Sequence, residues 1–209
     1  MKLALKGILD LEVMQLASQL GMSEVSFDFR PRSFNFTQGY KVKELLNYGG
    51  QFDSLNLIFE NEKDFIIEQI LKDLNPEEHS MMLEFSGGES LTWADRFETP
   101  FIWHYKAETS LSQIEQSKFL RRIVFNQEVL DHYNQTGELF GFFQLFTDRE
   151  NLELEILTDW DNPLIISLID NFDISHLSFE INNKVERSFR DVDHGLVKTH
   201  IKQIQQSLN

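Results

Sequence analysis

The chain of 209 residues is long enough to bury a sizeable core, and we expect one domain spanning residues 1–209. It carries 19 Lys and Arg against 34 Asp and Glu, and the resulting formal charge of −15 disfavours nucleic acid as a partner. The absence of cysteine excludes disulfides, thiolate metal sites and thiol nucleophiles. No apolar run has the length of a signal sequence or membrane helix, so we expect a cytoplasmic protein without a membrane partner.

The first half of the chain alternates between short apolar strands and amphipathic helices. Leu3–Lys6 predicts a strand, and Asp10 then caps a helix that ends at Gly21. Apolar runs predict further strands at 25–29, 55–59, 81–85 and 101–105. Helical spacing predicts helices around 42–46, 67–74, 91–97 and 111–114, with ends at Gly49-Gly50 and Asn75-Pro76 for the first two.

The second half continues the alternation with one ambiguous stretch. Ile123–Phe125 predicts a buried strand, whereas periodicity does not assign the apolar run within 130–146 to either class. Strands are predicted at 152–156 and 177–181, and Asn162-Pro163 has the form of a helix start. A last helix carries apolar residues at 197, 201 and 204.

Counting these segments gives about eight strand–helix units, the number that a compact, parallel (β/α)8 TIM barrel requires. A doubly wound open sheet is the alternative architecture. No glycine-rich phosphate loop follows the first strand, which weakens the dinucleotide-binding form of that alternative.

Several short segments, in order and spacing, resemble phosphoribosylanthranilate isomerase, an enzyme family of tryptophan biosynthesis. The N-terminal ones are Lys6-Gly7-Ile8, Gly21 and the stretch from Val25 to Ser33. The C-terminal ones are Lys106-Ala107, Asn162-Pro163, Val185-Glu186 and Asp193-His194. The resemblance covers nearly the full chain. It implies a (β/α)8 barrel and an aldose–ketose isomerase, an intramolecular oxidoreductase that needs no cofactor.

The chain departs from this family at both positions that the resemblance marks as catalytic. The family has a cysteine general base at the end of the first strand, where this chain has Lys6. The family's aspartate general acid after the sixth strand is replaced by Asn126. Asparagine carries no titratable proton, and a lysine near its usual pKa is protonated at neutral pH and is a poor base.

The positions that the resemblance marks as ligand-binding have changed as well. The family's two glycine-rich phosphate loops correspond to Thr158-Asp159-Trp160 and to Asn182-Asn183-Lys184. The family's carboxylate-binding arginine corresponds to Asn35, with Arg32 or Arg30 as substitutes. Glu84 stands near the end of the fourth strand. We expect Trp160 to fill the phosphate site, because it replaces a glycine.

These replacements predict a divergent member that lacks the ordinary isomerase activity, a pseudoenzyme with a binding or interaction role or an unassigned activity. The alternative is an active isomerase, or another sugar isomerase or aldolase that uses Lys6, for instance as a Schiff-base amine. A structural interpretation pairs Lys6 with Asp28, Glu84 or Asp159. We expect a small-molecule ligand at the carboxyl end of the barrel, no metal, and a monomer or homodimer.

Overall fold

The computed structural model describes residues 1–48, 51–74, 80–147, 149, 151–160 and 165–208. Eight parallel strands close into a barrel in sequence order, with the last strand hydrogen-bonded to the first. This closed barrel confirms the predicted (β/α)8 fold, and the alternative of an open doubly wound sheet is wrong.

The eight barrel strands coincide with the predicted apolar runs to within three residues. They are β1 Lys2–Lys6, β2 Glu24–Asp28, β3 Ser54–Phe59, β4 Met81–Phe85, β5 Phe101–His104, β6 Leu120–Phe125, β7 Glu153–Thr158 and β8 His176–Glu180. The largest difference is at β6, which begins three residues before the predicted start because Arg121 and Arg122 interrupt its apolar pattern.

Helices follow the strands around the barrel. They are α1 Leu11–Gln19, α2 Gly39–Tyr48, α3 Asp64–Leu74, α4 Leu91–Ala94, α5 Leu111–Gln116, α6 Gln127–Thr136, α7 Leu139–Thr147, α8 Ile165–Asn171 and α9 His194–Ser207, with a 3-10 turn at Asp95–Phe97. The ambiguous stretch forms α6 and α7, separated at Gly137, which has a φ of 73°. In the part of the chain described, no helix is long and apolar enough to cross a bilayer.

One feature of the connections was not predicted, and three predicted helix boundaries fall on residues outside the described ranges. A small antiparallel hairpin, β9 Glu186–Ser188 and β10 Asp191–Val192, lies between β8 and α9. It was not predicted because two strands of three and two residues carry too little periodicity. The predicted helix boundaries at Gly49-Gly50, Asn75-Pro76 and Asn162-Pro163 lie outside the described residues.

The apolar core lies between the strands and the surrounding helices. Alternate strand residues point outward into this layer, which is rich in aromatic rings. Phe125 of β6 is an example, since its ring centroid lies 5.2 Å from those of Phe142 and Phe146 on α7 and 5.6 Å from that of Tyr105. This layer accounts for much of the high phenylalanine count.

The inside of the barrel has a different composition. Small or branched apolar residues occur among the buried strand residues that lie outside the apolar core: Ala4, Ile58, Ile102 and Val124. The buried polar and charged strand residues include Lys6, Glu24, Ser26, Asn56, Glu84, Arg122, Glu155, His176 and Ser178. Bulky branched side chains normally dominate the interior of such barrels. Here ion pairs and hydrogen bonds occupy much of that space.

Candidate functional site

Lys6 lies inside the barrel near the carboxyl ends of the strands, between two carboxylates. Its ammonium contacts Glu84 of β4 and lies 2.7 Å from Glu155 Oε1 of β7. His104 Nε2 of β5 lies 2.6 Å from the same Glu84 oxygen that contacts Lys6. Glu84 was one of the three partners expected for Lys6, whereas Glu155 was not expected. Only 1% of Lys6 is exposed, so its amine is closed off from solvent.

The electrostatics of this group keep Lys6 charged. Burial alone would lower the pKa of Lys6, but the carboxylates of Glu155 and Glu84 outweigh that effect and raise it above its ordinary value. Burial would raise the pKa values of the two carboxyls, but Lys6 holds both of them below their usual range. Lys6 is therefore an ammonium at neutral pH, a form that neither accepts a proton nor attacks a carbonyl.

A second charged group lies inside the barrel near the amino ends of the strands. Arg122 of β6 donates to both oxygens of Glu24, at 2.7 and 2.9 Å, and to Glu155 Oε2 at 3.0 Å. His176 Nε2 lies 3.2 Å from Glu24 Oε1. Burial alone would raise the pKa of Glu24, but hydrogen bonds from His176 and Arg122 bring it down to about 2. Because Glu155 contacts both Lys6 and Arg122, the two groups form one connected network.

Arg30 lies across the mouth of the barrel above Lys6. Its guanidinium donates to Asp28 at 2.6 and 2.9 Å, and to Glu180 Oε1 at 2.7 Å. Asp28 also accepts from the Ser33 hydroxyl at 2.6 Å. Two of the expected Lys6 partners are therefore used elsewhere, since Asp28 pairs with Arg30 and Asp159 pairs with Lys184.

The larger cleft at this end of the barrel has a volume of about 430 Å³. It lies between the loop after β2 and the segment that follows β8. Four of the predicted ligand-binding residues contribute to its wall, namely Arg32, Asn35, Asn182 and Asn183. Glu60, Glu180 and Glu186 also line it.

A smaller cleft of about 240 Å³ adjoins the first, because Glu180 and Asn182 line both. Asn126, Thr158 and Asp159 contribute to its wall. The Asn126 side chain caps α6, since its Oδ1 accepts from the backbone N–H of Val129 at 3.0 Å. The position that the resemblance marks as the acid thus has a clear structural task.

Trp160 is turned into the protein at the start of the segment after β7. Its ring packs 5.2 Å from that of Phe179, and its indole N–H donates to the Glu180 carbonyl at 2.8 Å. Only 5% of the residue is exposed, and it belongs to the wall of neither cleft. Asp159 accepts from the Trp160 backbone N–H at 2.8 Å, which holds this loop in place.

Gly7 and Asn35 pack closely behind the larger cleft. Gly7 has a φ of +83°, and a Cβ at this position would collide with the Asn35 amide. Asn35 is 2% exposed and donates from Nδ2 to the Ile181 carbonyl at 2.7 Å. Asn35 therefore joins the loop after β2 to the end of β8.

The structure brings together most predicted site residues but not as one accessible centre. Lys6 and Glu84 lie buried beneath the mouth, while the polar ligand-binding residues line the two clefts above them. Lys106 lies in a separate groove beside Trp103 and Glu108. In the described ranges, no group of three or more His, Asp or Glu side chains is arranged to hold a metal ion.

Several residues of the charged network were missed by sequence reasoning. All four are buried: Glu24, Arg122 and His176 each lie one residue before a predicted strand, and Glu155 is a polar position within the predicted strand 152–156. The sequence did contain a signal for these buried charges, namely a charged residue next to the apolar residues of a predicted strand. Buried charges are rare unless paired, so such positions mark partners across a barrel.

Comparison with known proteins gives a match at the level of the fold. No family model and no curated protein sequence matches this chain. Phosphoribosylanthranilate isomerase from Thermotoga maritima matches with a TM-score of 0.73 at 16% identity, over 98% of each chain. The isomerase from Thermus thermophilus matches with a TM-score of 0.71 at 13% identity, over 99% of each chain.

A third similar structure is a phosphoribosylanthranilate isomerase in complex with reduced 1-(o-carboxyphenylamino)-1-deoxyribulose 5-phosphate. It matches with a TM-score of 0.71 at 17% identity, over 98% of each chain. The resemblance noted in the sequence is thereby confirmed for the fold across nearly the whole chain. This protein is a (β/α)8 barrel whose solved structural neighbours include phosphoribosylanthranilate isomerases.

Proposed function

We propose that this protein is a small-molecule-binding barrel of the phosphoribosylanthranilate isomerase type that does not catalyse that isomerisation. The observation that carries the proposal is the state of Lys6, which is closed off from solvent between Glu84 and Glu155. An Amadori rearrangement needs a base to remove a proton from the sugar carbon and an acid to assist ring opening. A buried ammonium in an ion pair is unsuited to the first task.

The second catalytic position supports the same proposal. Asn126 is the helix cap of α6 and has no titratable proton to give. The buried Trp160 ring and the Asp159 carboxylate occupy the segment that corresponds to a phosphate loop. An anionic phosphate gains little here, because the Lys184 ammonium of the second loop is already paired with the Asp159 carboxylate. Together these features favour ligand binding over the family reaction.

The alternative of a Schiff-base enzyme using Lys6 has less support. Imine formation requires a neutral amine that reaches a carbonyl carbon, and the carboxylates around Lys6 raise its pKa instead of lowering it. The ammonium is also closed off from solvent inside the barrel. Sodium borohydride trapping with dihydroxyacetone phosphate tests this route, with Lys6→Met and Lys106→Met compared by peptide mass spectrometry. We expect no adduct on Lys6.

The main proposal is tested by incubating the purified protein with phosphoribosylanthranilate and monitoring turnover through the change in fluorescence. The Thermotoga maritima isomerase serves as the positive control. We expect no turnover above the uncatalysed rate and no rescue of a tryptophan auxotroph that lacks this step. Turnover that disappears in Asn126→Ala or Lys6→Met would overturn the proposal and restore the enzyme alternative.

A further inference from the structure

The outward side of helix α7 is apolar, although the solvent-facing side of a surface helix is normally polar. None of the nine residues of α7 is charged. Its exposed positions include Phe140, Gly141, Gln144 and Leu145, with 59% of Phe140 and 48% of Leu145 open to solvent. The opposite side of the helix packs into the apolar core through Phe142, Phe143 and Phe146. A helix that is apolar on both sides is normally covered on both sides, so this surface calls for a partner.

The exposed residues of α7 form two apolar ridges with a notch between them. Gly141 lies between Phe140 and Leu145 around the helix, because successive residues are rotated by about 100°. A Cβ atom on Gly141 would have no heavy atom within 4 Å, so the space above its backbone is open. The Phe140 ring rests against that of Phe172, with 5.6 Å between the ring centroids. We call Phe140, Gly141, Leu145 and Phe172 together the α7 face.

The part of the chain that contains the α7 face is strongly acidic. Residues 123–183 hold twelve Asp and Glu against one Lys or Arg, so they carry a net charge of −11 out of the −15 of the whole chain. The single cation is Arg149, which is paired with Glu115. Negative charge therefore dominates this side of the barrel, far beyond the average for the chain.

Exposed carboxylates adjoin the α7 face itself. Glu138 shares a stripe of the helix surface with Gly141 and Leu145, since these residues follow it by three and seven positions. Asp170 and Asp173 are exposed and stand close to Phe172 in the chain. An apolar centre with carboxylates around it is complementary to a partner that has an apolar centre with cations around it.

We propose that the α7 face is a docking surface for a basic amphipathic helix of a partner protein. The apolar stripe of that helix packs on Phe140 and Leu145, and its Lys or Arg side chains meet the surrounding carboxylates. A second copy of this chain is a poor occupant, because two such faces would bring the same negative charge together. Neither Phe140 nor Leu145 lines a cleft at the barrel mouth, so this surface is separate from the site of the proposed function.

Two synthetic helical peptides of matched length provide the test. One has leucines at helical spacing with lysine at every other position, and the second has glutamate in place of each lysine. Fluorescence anisotropy of the labelled peptides with the full chain at neutral pH should give at least about tenfold tighter binding of the lysine peptide.

Phe140→Ser should weaken binding of the lysine peptide by about tenfold or more, since aromatic residues at the centre of an interface carry much of the binding energy. Phe65→Ser is the matched control and should leave the Kd unchanged. Phe65 is 64% exposed on α3, a helix that includes the exposed cation Lys72 and follows Lys63. Circular dichroism confirms that each variant is folded.

Equal affinity for the two peptides would overturn the inference, as would the absence of binding of the lysine peptide at about 100 μM. An equal loss of affinity in Phe140→Ser and Phe65→Ser would show that the peptide is held by overall charge alone, which also overturns it. Self-association of the unmodified chain in sedimentation experiments, abolished by Phe140→Ser, would assign the α7 face to a second copy instead.

Discussion

The inside of the barrel and the layer around it are stabilised by opposite kinds of interaction. The outer layer packs aromatic and aliphatic side chains between strands and helices. The inside is crossed by ion pairs that join Lys6 and Arg122 to carboxylates on other strands. Apolar packing tolerates exchanges of similar volume, whereas a buried ion pair depends on every partner being present. The inside should therefore be the less tolerant region of the two.

The largest expected effect is the loss of Arg122. Replacement by methionine leaves the buried Glu24 without its bidentate partner and removes one of the two cations beside Glu155. We expect Arg122→Met to lower the free energy of unfolding by about 3–5 kcal/mol in urea denaturation. Arg121→Met is the matched control on the same strand, because Arg121 is exposed and should change stability by less than about 0.5 kcal/mol. Equal effects of the two variants would contradict the contrast between the two layers.

The Lys6 group should show strong coupling between its members. Lys6→Met leaves Glu84 and Glu155 facing each other without the ammonium, and we expect a loss of about 3 kcal/mol. Adding Glu84→Gln removes one of the uncompensated charges. The double variant should be more stable than the sum of the single changes predicts, by about 1–3 kcal/mol in a double-mutant cycle. Simple additivity would show that these residues do not act as a pair.

The buried charges inside the barrel should also make the free energy of unfolding depend on pH in the acid range. The pKa of Glu24 is about 2 in the folded chain against an ordinary 4.5, so its stabilisation is complete above about pH 4.5 and is lost as pH falls toward 2. The difference corresponds to roughly 3 kcal/mol. Urea unfolding between pH 2.5 and 7 should show a shallower acid slope for Glu24→Gln than for the unmodified chain. Parallel slopes would contradict this account.

The smallest expected effect concerns the outer layer. Phe125→Leu keeps most of the apolar volume between β6 and α7, so we expect a loss of about 1–2 kcal/mol. This loss should be the same at pH 4 and pH 7, because no titratable group is involved. Phe140→Leu is the control, since Phe140 is 59% exposed. A loss in Phe125→Leu that changes with pH would weaken the comparison between the layers.

Most of the fold could be predicted because apolar residues recur along the sequence with the period of a strand or of a helix. The alternation, the cap at Asp10 and the helix end at Gly21 all follow from local chemistry. The run at 139–143 could not be assigned, since its four apolar residues around Gly141 fit either period. Its helical form depends on packing against β6, which local sequence does not contain.

The candidate site was predicted in its location but not in its contacts. The positions after β6, β7 and β8 line the clefts because parallel strands end at the same face of a barrel. Which inward side chains meet depends on the stagger of strands across the interior. Lys6 therefore had three plausible carboxylate partners in the sequence, and Glu155 was not among them. The hairpin that contains Glu186 was missed because its strands are too short to predict.

The network inside the barrel has a consequence for the kinetics of folding. Arg122 and Glu24 lie 98 residues apart in the chain, and their contact forms only when β6 and β2 face each other across the barrel. Contacts between such distant segments carry a large loop-closure entropy and are expected late in folding. Substitutions inside the barrel should therefore accelerate unfolding and leave the refolding rate nearly unchanged. The interior charges would then determine how long the closed barrel survives once it has formed.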